Sequence, residues 1–152
     1  MKFIADVMLG KLARYLRMAG SDVLYINNID DDEILLIAKD QDRIILTRDS
    51  LMLQRKECKN KIINSILIRD DDFLKQLKQV KDVLSLNLAP LLSRCLECNS
   101  LLEKVRKLEL EGKVPPYVFR TQESFQYCAR CGKYYWRGTH YENICHTFKL
   151  ID

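Results

Sequence analysis

Two pairs of cysteines in the last third of the chain constrain its fold more than any other feature. They are Cys95-Leu-Glu-Cys98 and Cys128-Ala-Arg-Cys131, and residues 99–127 separate them. Two residues between thiols let one backbone turn present both sulfurs to a tetrahedral ion, and Gly132 suits the left-handed backbone that such turns often need. The pattern therefore predicts a structural zinc site formed by Cys95, Cys98, Cys128 and Cys131.

The rest of the composition favours a metal over disulfides. The segment 1–6 reaches an acidic residue too early for a signal peptide, so we expect a cytoplasmic protein whose thiols stay reduced. Apolar runs are only a few residues long, which predicts no membrane span. Cys58 and Cys145 are expected to be buried or half-buried thiols. His140 and His146 are candidate ligands only if one of the paired cysteines fails to bind.

Residues 1–90 alternate four times between a strand pattern and a helix pattern. The predicted strands are 2–5, 23–26, 43–47 and 62–68, and the predicted helices are 9–19, 30–38, 51–56 and 73–84. This alternation is typical of an open, mainly parallel α/β sheet flanked by helices. Between residues 85 and 93 the helical pattern fades, and Pro90 interrupts it. We therefore predict two domains, residues 1–90 and a zinc module of residues 91–152.

The predicted zinc module is too small to bury much apolar surface. A structural zinc contributes about 10 kcal/mol or more to folding, so the metal is expected to be required for the module. The interval 99–127 exceeds that of the shortest zinc ribbons and predicts an extra hairpin or loop. In the segment 133–140 cations and aromatic residues interleave. These aromatic residues either stack on nucleic-acid bases or form the core of the module.

Acidic residues follow every predicted strand, at Asp6, Asp30 to Glu33, Asp49, and Asp70 to Asp72. In a parallel sheet the carboxyl ends of the strands share one edge, where ligands bind. Helix capping alone would explain Asp71 and one of Asp30 or Asp31, but it explains Asp6 poorly. Because clustered carboxylates repel one another, this edge is predicted to hold Mg²⁺ or Mn²⁺ and to support phosphodiester hydrolysis.

Basic residues near this edge are candidate phosphate contacts. The net charge of +4 points only weakly to nucleic acid, so local patches must carry that hypothesis. Arg48, next to Asp49, is placed to hold a phosphate. Lys11, Arg14 and Arg17 recur at steps of three and are expected to form one exposed basic helix face. A solvated helix face explains these three residues equally well.

Several segments form an ordered set along nearly the whole chain. They are residues 3–6, 9–17, Gly20, 31–34, 43–49, 94–99, 128–133 and 135–140. This set resembles the Mut-seven C-terminal type ribonuclease domain family, a PIN-like nuclease fold followed by a zinc ribbon. The resemblance implies an acidic site at Asp6, Asp31 and Asp49. The consecutive aspartates leave Asp30 and Asp32 as alternatives to Asp31.

We therefore expect a metal-dependent hydrolase of RNA, an endoribonuclease with structural Zn²⁺ and catalytic Mg²⁺ or Mn²⁺, whose zinc ribbon assists RNA binding. The alternative is a catalytically inactive RNA-binding or protein-interaction module with a structural zinc. The acids at the strand edge favour the enzyme. Neither the particular RNA nor an oligomeric state follows from the sequence.

Overall fold

The first part of the chain folds as a four-stranded parallel sheet flanked by helices. A computed structural model describes residues 1–151. The strands are β1 (Lys2–Ala5), β2 (Asp22–Tyr25), β3 (Ile44–Thr47) and β4 (Ser65–Leu67). The helices are α1 (Gly10–Met18), α2 (Asp31–Gln41), α3 (Ser50–Gln54), α4 (Lys56–Lys59) and α5 (Phe73–Leu84). The sheet order is β2-β1-β3-β4 with every neighbouring pair parallel, which confirms the predicted parallel α/β sheet.

Both faces of this sheet are buried because successive strand residues point to opposite sides. Phe3 and Ala5 of β1 pack in the core that includes the apolar side chains of α1 and α5. Ile4, between them, packs in a second core with Ile34 of α2 and Met52 of α3. Short apolar strands covered on both faces are what a parallel sheet requires.

Acidic residues begin three of the helices. The side chains of Asp30, Asp49 and Asp72 accept hydrogen bonds from backbone N–H groups in the first turns of α2, α3 and α5. Each such cap is worth about 1 kcal/mol. The cap of α5 is Asp72, because the helix starts at Phe73, and the expectation that Asp71 takes this role was wrong. Capping thus accounts for part of the acidic pattern.

The last third of the chain contains a small antiparallel sheet with order β5-β6-β7. Its strands are β5 (Glu103–Val105), β6 (Phe125–Cys128) and β7 (Lys133–Trp136), and its helices are α6 (Pro116–Thr121) and α7 (Thr139–Lys149). The segment between the cysteine pairs therefore supplies a third strand and α6. A local core of Leu110, Val114 and Phe125 supports this sheet. Neither α6 nor α7 was predicted from the sequence.

The two parts of the chain share one apolar core. Ile144 and Phe148 of α7 belong to the same cluster as Leu12 and Leu16 of α1. The connecting segment joins this core through three buried leucines, Leu88, Leu92 and Leu96. The boundary at residue 90 stays a prediction, and side chains from both sides of it pack together. In the described part of the chain, no helix is both long enough and apolar enough to cross a membrane.

Candidate functional site

The four paired cysteines converge as the spacing predicts. Their Sγ atoms all lie within 4.8 Å of one another. The Sγ atoms of Cys95 and Cys131 are 3.9 Å apart, and those of Cys98 and Cys128 are 3.5 Å apart. A tetrahedral zinc with Zn–S bonds of about 2.3 Å needs sulfurs about 3.8 Å apart. The four cysteines can therefore hold a metal ion such as zinc.

The electrostatics of the cluster also favour a bound cation. Burial raises the pKa of the Cys98 thiol, but hydrogen bonds with Ser100 and the neighbouring cysteines outweigh burial and lower this pKa to about 6. The hydrogen bond with Cys98, together with burial, raises the pKa of Cys131 to about 12. One thiolate therefore forms easily while the next is opposed. Four thiolates can be held together only by a positive ion.

The first cysteine pair is anchored to the parallel sheet by Arg17. Its Nε donates to the carbonyl of Val23 at 2.9 Å, and its Nη1 donates to the carbonyls of Leu96 and Glu97 at 2.8 and 3.0 Å. Arg17 is only 3% exposed. The expectation that Arg17 belongs to an exposed basic face was therefore wrong, since its guanidinium serves backbone carbonyls that would otherwise lack donors.

Asn99 makes a second link between the cysteine turn and the sheet. The backbone N–H of Val23 in edge strand β2 donates to Asn99 Oδ1 at 3.0 Å, and Asn99 Nδ2 donates to Asp22 Oδ1 at 2.7 Å. Burial raises the pKa of Asp22, but hydrogen bonds from Arg43 and Asn99 outweigh it and lower the pKa overall. The cysteine turn thus covers an edge strand whose free backbone groups need partners. Sequence reasoning missed Asn99, although its place directly after Cys98 was a signal.

The acidic edge of the parallel sheet contains Asp6, which follows β1 directly and is only 9% exposed. Its Oδ1 accepts a hydrogen bond from the backbone N–H of Met8 at 3.0 Å. Its Oδ2 accepts from the Thr47 hydroxyl at 2.6 Å and from the backbone N–H of Arg48 at 2.8 Å. All three donors are neutral, and within residues 1–151 no basic side chain forms an ion pair with Asp6. A buried carboxylate without a cationic partner is costly.

Asp49 follows the neighbouring strand β3 and is linked to Asp6 through Thr47. Its Oδ1 caps α3 by accepting from the N–H of Leu51 at 2.8 Å, and its own N–H donates to Thr47 Oγ1 at 3.0 Å. Thr47 therefore donates to one aspartate and accepts from the backbone of the other. Sequence reasoning missed this fully buried residue. The available signal was a polar side chain ending an apolar strand immediately before Arg48 and Asp49.

The four acids near the start of α2 have different partners. Asp30 and Glu33 form a reciprocal capping box, and Asp32 forms an ion pair with Arg55. Among the residues that the structure describes, no hydrogen bond or ion pair involves the side chain of Asp31. Its exposed carboxylate is the one in this group that is available to a ligand.

Arg48 lies between Asp6 and the last acidic cluster. Its guanidinium Nη2 donates to Asp71. Its Nε is buried and has no hydrogen-bond partner anywhere in the described chain. In the same cluster, Asp70 forms an ion pair with Lys75 at 3.3 Å, and Asp72 caps α5. A buried donor without a partner is rare in folded proteins.

The carboxylates of Asp6, Asp31 and Asp49 are not gathered as tightly as the cysteines. Asp6 follows β1, Asp49 follows β3, and Asp31 begins the helix that comes after β2. These three strands are neighbours in the parallel sheet, so the three residues lie towards the same, carboxyl-terminal edge. Among residues 1–151, however, the four cysteines are the only group of three or more metal-binding side chains within 4.8 Å of one another. The edge thus carries three carboxylates that follow neighbouring strands, and within residues 1–151 the three do not form a cluster like that of the cysteines.

Lys11 and Arg14 form the exposed part of the predicted basic face. Lys11 Nζ lies 4.4 Å from the centre of the Phe73 ring, and Arg14 forms an ion pair with Glu97 at 3.2 Å. Both residues line a cleft of about 640 Å³ between α1, the first cysteine turn and α7. This volume is in the range of small-ligand sites.

The structure thus combines a parallel α/β sheet, with carboxylates at its strand ends, and four cysteines that can hold a metal ion. The model of the Mut7-C RNase domain family matches residues 1–148, and the chain belongs to this family. The match covers both the parallel sheet and the cysteine cluster. No curated protein and no solved structure matches the chain.

Proposed function

We propose that the chain is a divalent-metal-dependent ribonuclease with a PIN-like nuclease fold, cutting RNA internally, and that its cysteine centre is a structural zinc ribbon that assists RNA binding. The observation that carries this proposal is Asp6, a buried carboxylate held only by neutral donors at the ligand-binding edge of a parallel sheet. Membership in an RNase domain family supports RNA as the substrate.

Asp6, Asp49 and Asp31 are the residues that would hold Mg²⁺ or Mn²⁺. Asp6 uses Oδ1 for a single hydrogen bond, so that oxygen keeps a lone pair for a cation. Asp49 likewise caps α3 through Oδ1, which leaves Oδ2 available. Oxygen donors of this kind match hard divalent cations. When bound, such a cation lowers the pKa of a water and offsets charge on the phosphate.

The basic residues have separate roles in this proposal. Arg48 donates its backbone N–H to Asp6, and its guanidinium is partly exposed near the same strand end, so we assign it to the scissile phosphate. Lys11 and Arg14, which are exposed, bind flanking phosphates. Arg17 holds the zinc module against the sheet and is left out of this set.

A second candidate function is a catalytically inactive RNA-binding or protein-interaction module. It is favoured by the capping roles of Asp30 and Asp49 and by the lack, within residues 1–151, of an acidic cluster as tight as that of the cysteines. On this hypothesis the aspartates serve helix starts only, and the zinc module provides the binding surface.

Cleavage of single-stranded RNA separates the two functions. The protein is incubated with a mixed RNA pool with and without added Mn²⁺ or Mg²⁺, in buffer without chelator, so that the cysteine centre keeps its metal. We expect fragments only when the divalent cation is added, and none with Asp6→Asn. RNA binding without cleavage under all these conditions would favour the inactive module.

A further inference from the structure

The cleft beside Lys11 and Arg14 adjoins a second cavity of different chemistry. The larger cavity, of about 640 Å³, has polar residues in its lining, among them Lys11, Arg14, Tyr25 and Asn27. The smaller one, of about 240 Å³, is lined by Tyr135, Trp136, Tyr141 and apolar residues. Leu96 and His140 line both cavities, so the two adjoin.

This pairing of cations with an aromatic pocket matches the two parts of a nucleotide. A phosphate needs positive side chains, whereas a base needs an aromatic surface on which to stack. We propose that the joint cleft binds one nucleotide of a single-stranded RNA, its phosphate on Lys11 and Arg14 and its base against Trp136. The proposal rests on the proposed ribonuclease function and assigns its substrate to the single-stranded class, since a paired base cannot enter the cavity.

One acidic residue opposes this binding. Glu97, between the first two cysteines, lines the cleft and pairs with Arg14 at 3.2 Å and with Lys133 at 4.0 Å. Both members of the Arg14 pair are about half exposed, so the pair contributes little to stability. A phosphate must compete with Glu97 for Arg14. Removing the charge of Glu97 is therefore expected to strengthen RNA binding, a gain that damage to the fold does not produce.

The aromatic compartment contains a natural reporter. Trp136 is the single tryptophan of the chain. A base stacked against it quenches its fluorescence, whereas phosphate bound only at Lys11 and Arg14 leaves that fluorescence unchanged. The probes are a short single-stranded oligoribonucleotide, the same sequence as a duplex, and an inorganic polyphosphate of similar charge.

The test compares binding of the whole 152-residue, metal-loaded chain to these probes without added Mg²⁺ or Mn²⁺. Each phosphate contact on a single strand changes the slope of log K against log salt by about 0.7. Lys11→Ala with Arg14→Ala is therefore expected to weaken single-strand binding roughly 20-fold near 0.1 M salt and to reduce the slope by about 1.4. The control is Lys39→Ala with Lys59→Ala, which removes the same charge from exposed positions outside the cleft.

We expect single-strand binding to weaken in the double variant Lys11→Ala with Arg14→Ala and to change little in the control double variant. Glu97→Gln should bind the single strand more tightly. Only the single-stranded oligoribonucleotide should quench the fluorescence of Trp136. Equal losses in both pairs, unchanged binding with Glu97→Gln, quenching by polyphosphate, or preference for the duplex would overturn the proposal. Cleavage is measured in a separate assay. RNA binding by the cleft without any cleavage would contradict only the proposed ribonuclease function. Cleavage that the cleft variants leave unchanged would contradict only the proposed nucleotide-binding cleft.

Discussion

At the scale of single residues, Asp6 has the least ordinary environment. Its carboxylate is buried at a strand end, and it accepts three hydrogen bonds without the help of any basic side chain in residues 1–151. One of these bonds is an ordinary turn cap to Met8, but the other two fix Oδ2 against Thr47 and Arg48. Capping therefore explains one oxygen of Asp6 and leaves the arrangement of the other to be explained by function.

Asp6→Asn is the first test of this hypothesis. The asparagine oxygen can keep the bonds from Thr47 and Arg48, while its NH₂ group loses the bond from Met8, so the free energy of unfolding should fall by about 1 kcal/mol. If Asp6 holds a cation, metal-dependent cleavage should fall by roughly two orders of magnitude or more. Urea denaturation and RNA cleavage are measured on the same sample. Full cleavage in a folded variant would contradict the assignment.

Asp49 and Asp72 form a matched pair for a second prediction. Each caps a helix through Oδ1, on α3 and α5 respectively, and asparagine caps nearly as well as aspartate. Asp49→Asn and Asp72→Asn should both change stability by less than about 0.5 kcal/mol. Only Asp49→Asn should reduce cleavage. Equal activity in the two variants would mean that Asp49 is a cap and nothing more.

At the scale of elements, side-chain hydrogen bonds hold the first cysteine turn against β2 along one seam. Arg17 reaches across it to Leu96 and Glu97, and Asn99 reaches back to Asp22 and Val23. The backbone adds two bonds, from the N–H groups of 91 and 92 to the carbonyl of Met18. These bonds give the cysteine turn a single orientation on the sheet.

Arg17→Lys tests this seam while keeping the positive charge. Lysine cannot reproduce the fork that serves three carbonyls, so the free energy of unfolding should fall by about 2 kcal/mol or more. Arg14→Lys, one turn earlier and exposed, should change it by less than about 1 kcal/mol. Thermal and urea denaturation are the measurements. Similar, small losses in both variants would show that the seam contributes little.

The pH dependence of metal retention belongs to the cysteine turns. The ligands are thiolates, and metal binding releases protons from the thiols, so acidification favours the metal-free form. Cys98, with its pKa lowered to about 6, is expected to resist protonation longest. Zinc should be retained at neutral pH and released progressively on acidification, because protons then displace the metal from the thiolates. A colorimetric chelator in a pH series measures this, and complete retention near pH 4 would contradict it.

The predictability of these elements follows from how local their causes are. All four strands of the first sheet and the four predicted helices were found near their predicted places, because apolar spacing and Asp caps are local signals. The missed elements, α4, α6 and α7, are short or depend on distant partners. The prediction that Arg17 lies on an exposed face was wrong for the same reason, since its carbonyl partners Leu96 and Glu97 lie about 80 residues away in the sequence.

At the scale of the whole molecule, loss of the metal should destabilise part of the parallel sheet. The first cysteine turn contacts β2 and α1, whereas β4 lies at the opposite edge. Chelation of zinc at neutral pH should therefore speed hydrogen–deuterium exchange in 22–25 and in α1, with little change in β4. A Cys98→Ser variant should behave in the same way without chelator. Faster exchange confined to residues 95–136 would show that the two parts are energetically independent.

The packing of α7 against α1 also sets the order of events during synthesis. The strands and helices of the parallel sheet are synthesised first. Leu12 and Leu16 can complete their packing only after Ile144 and Phe148 have been synthesised. Until then a nascent chain exposes part of its apolar core, a state in which chaperones bind and aggregation begins. Helix α7, which is synthesised long after α1, therefore completes the core to which α1 contributes.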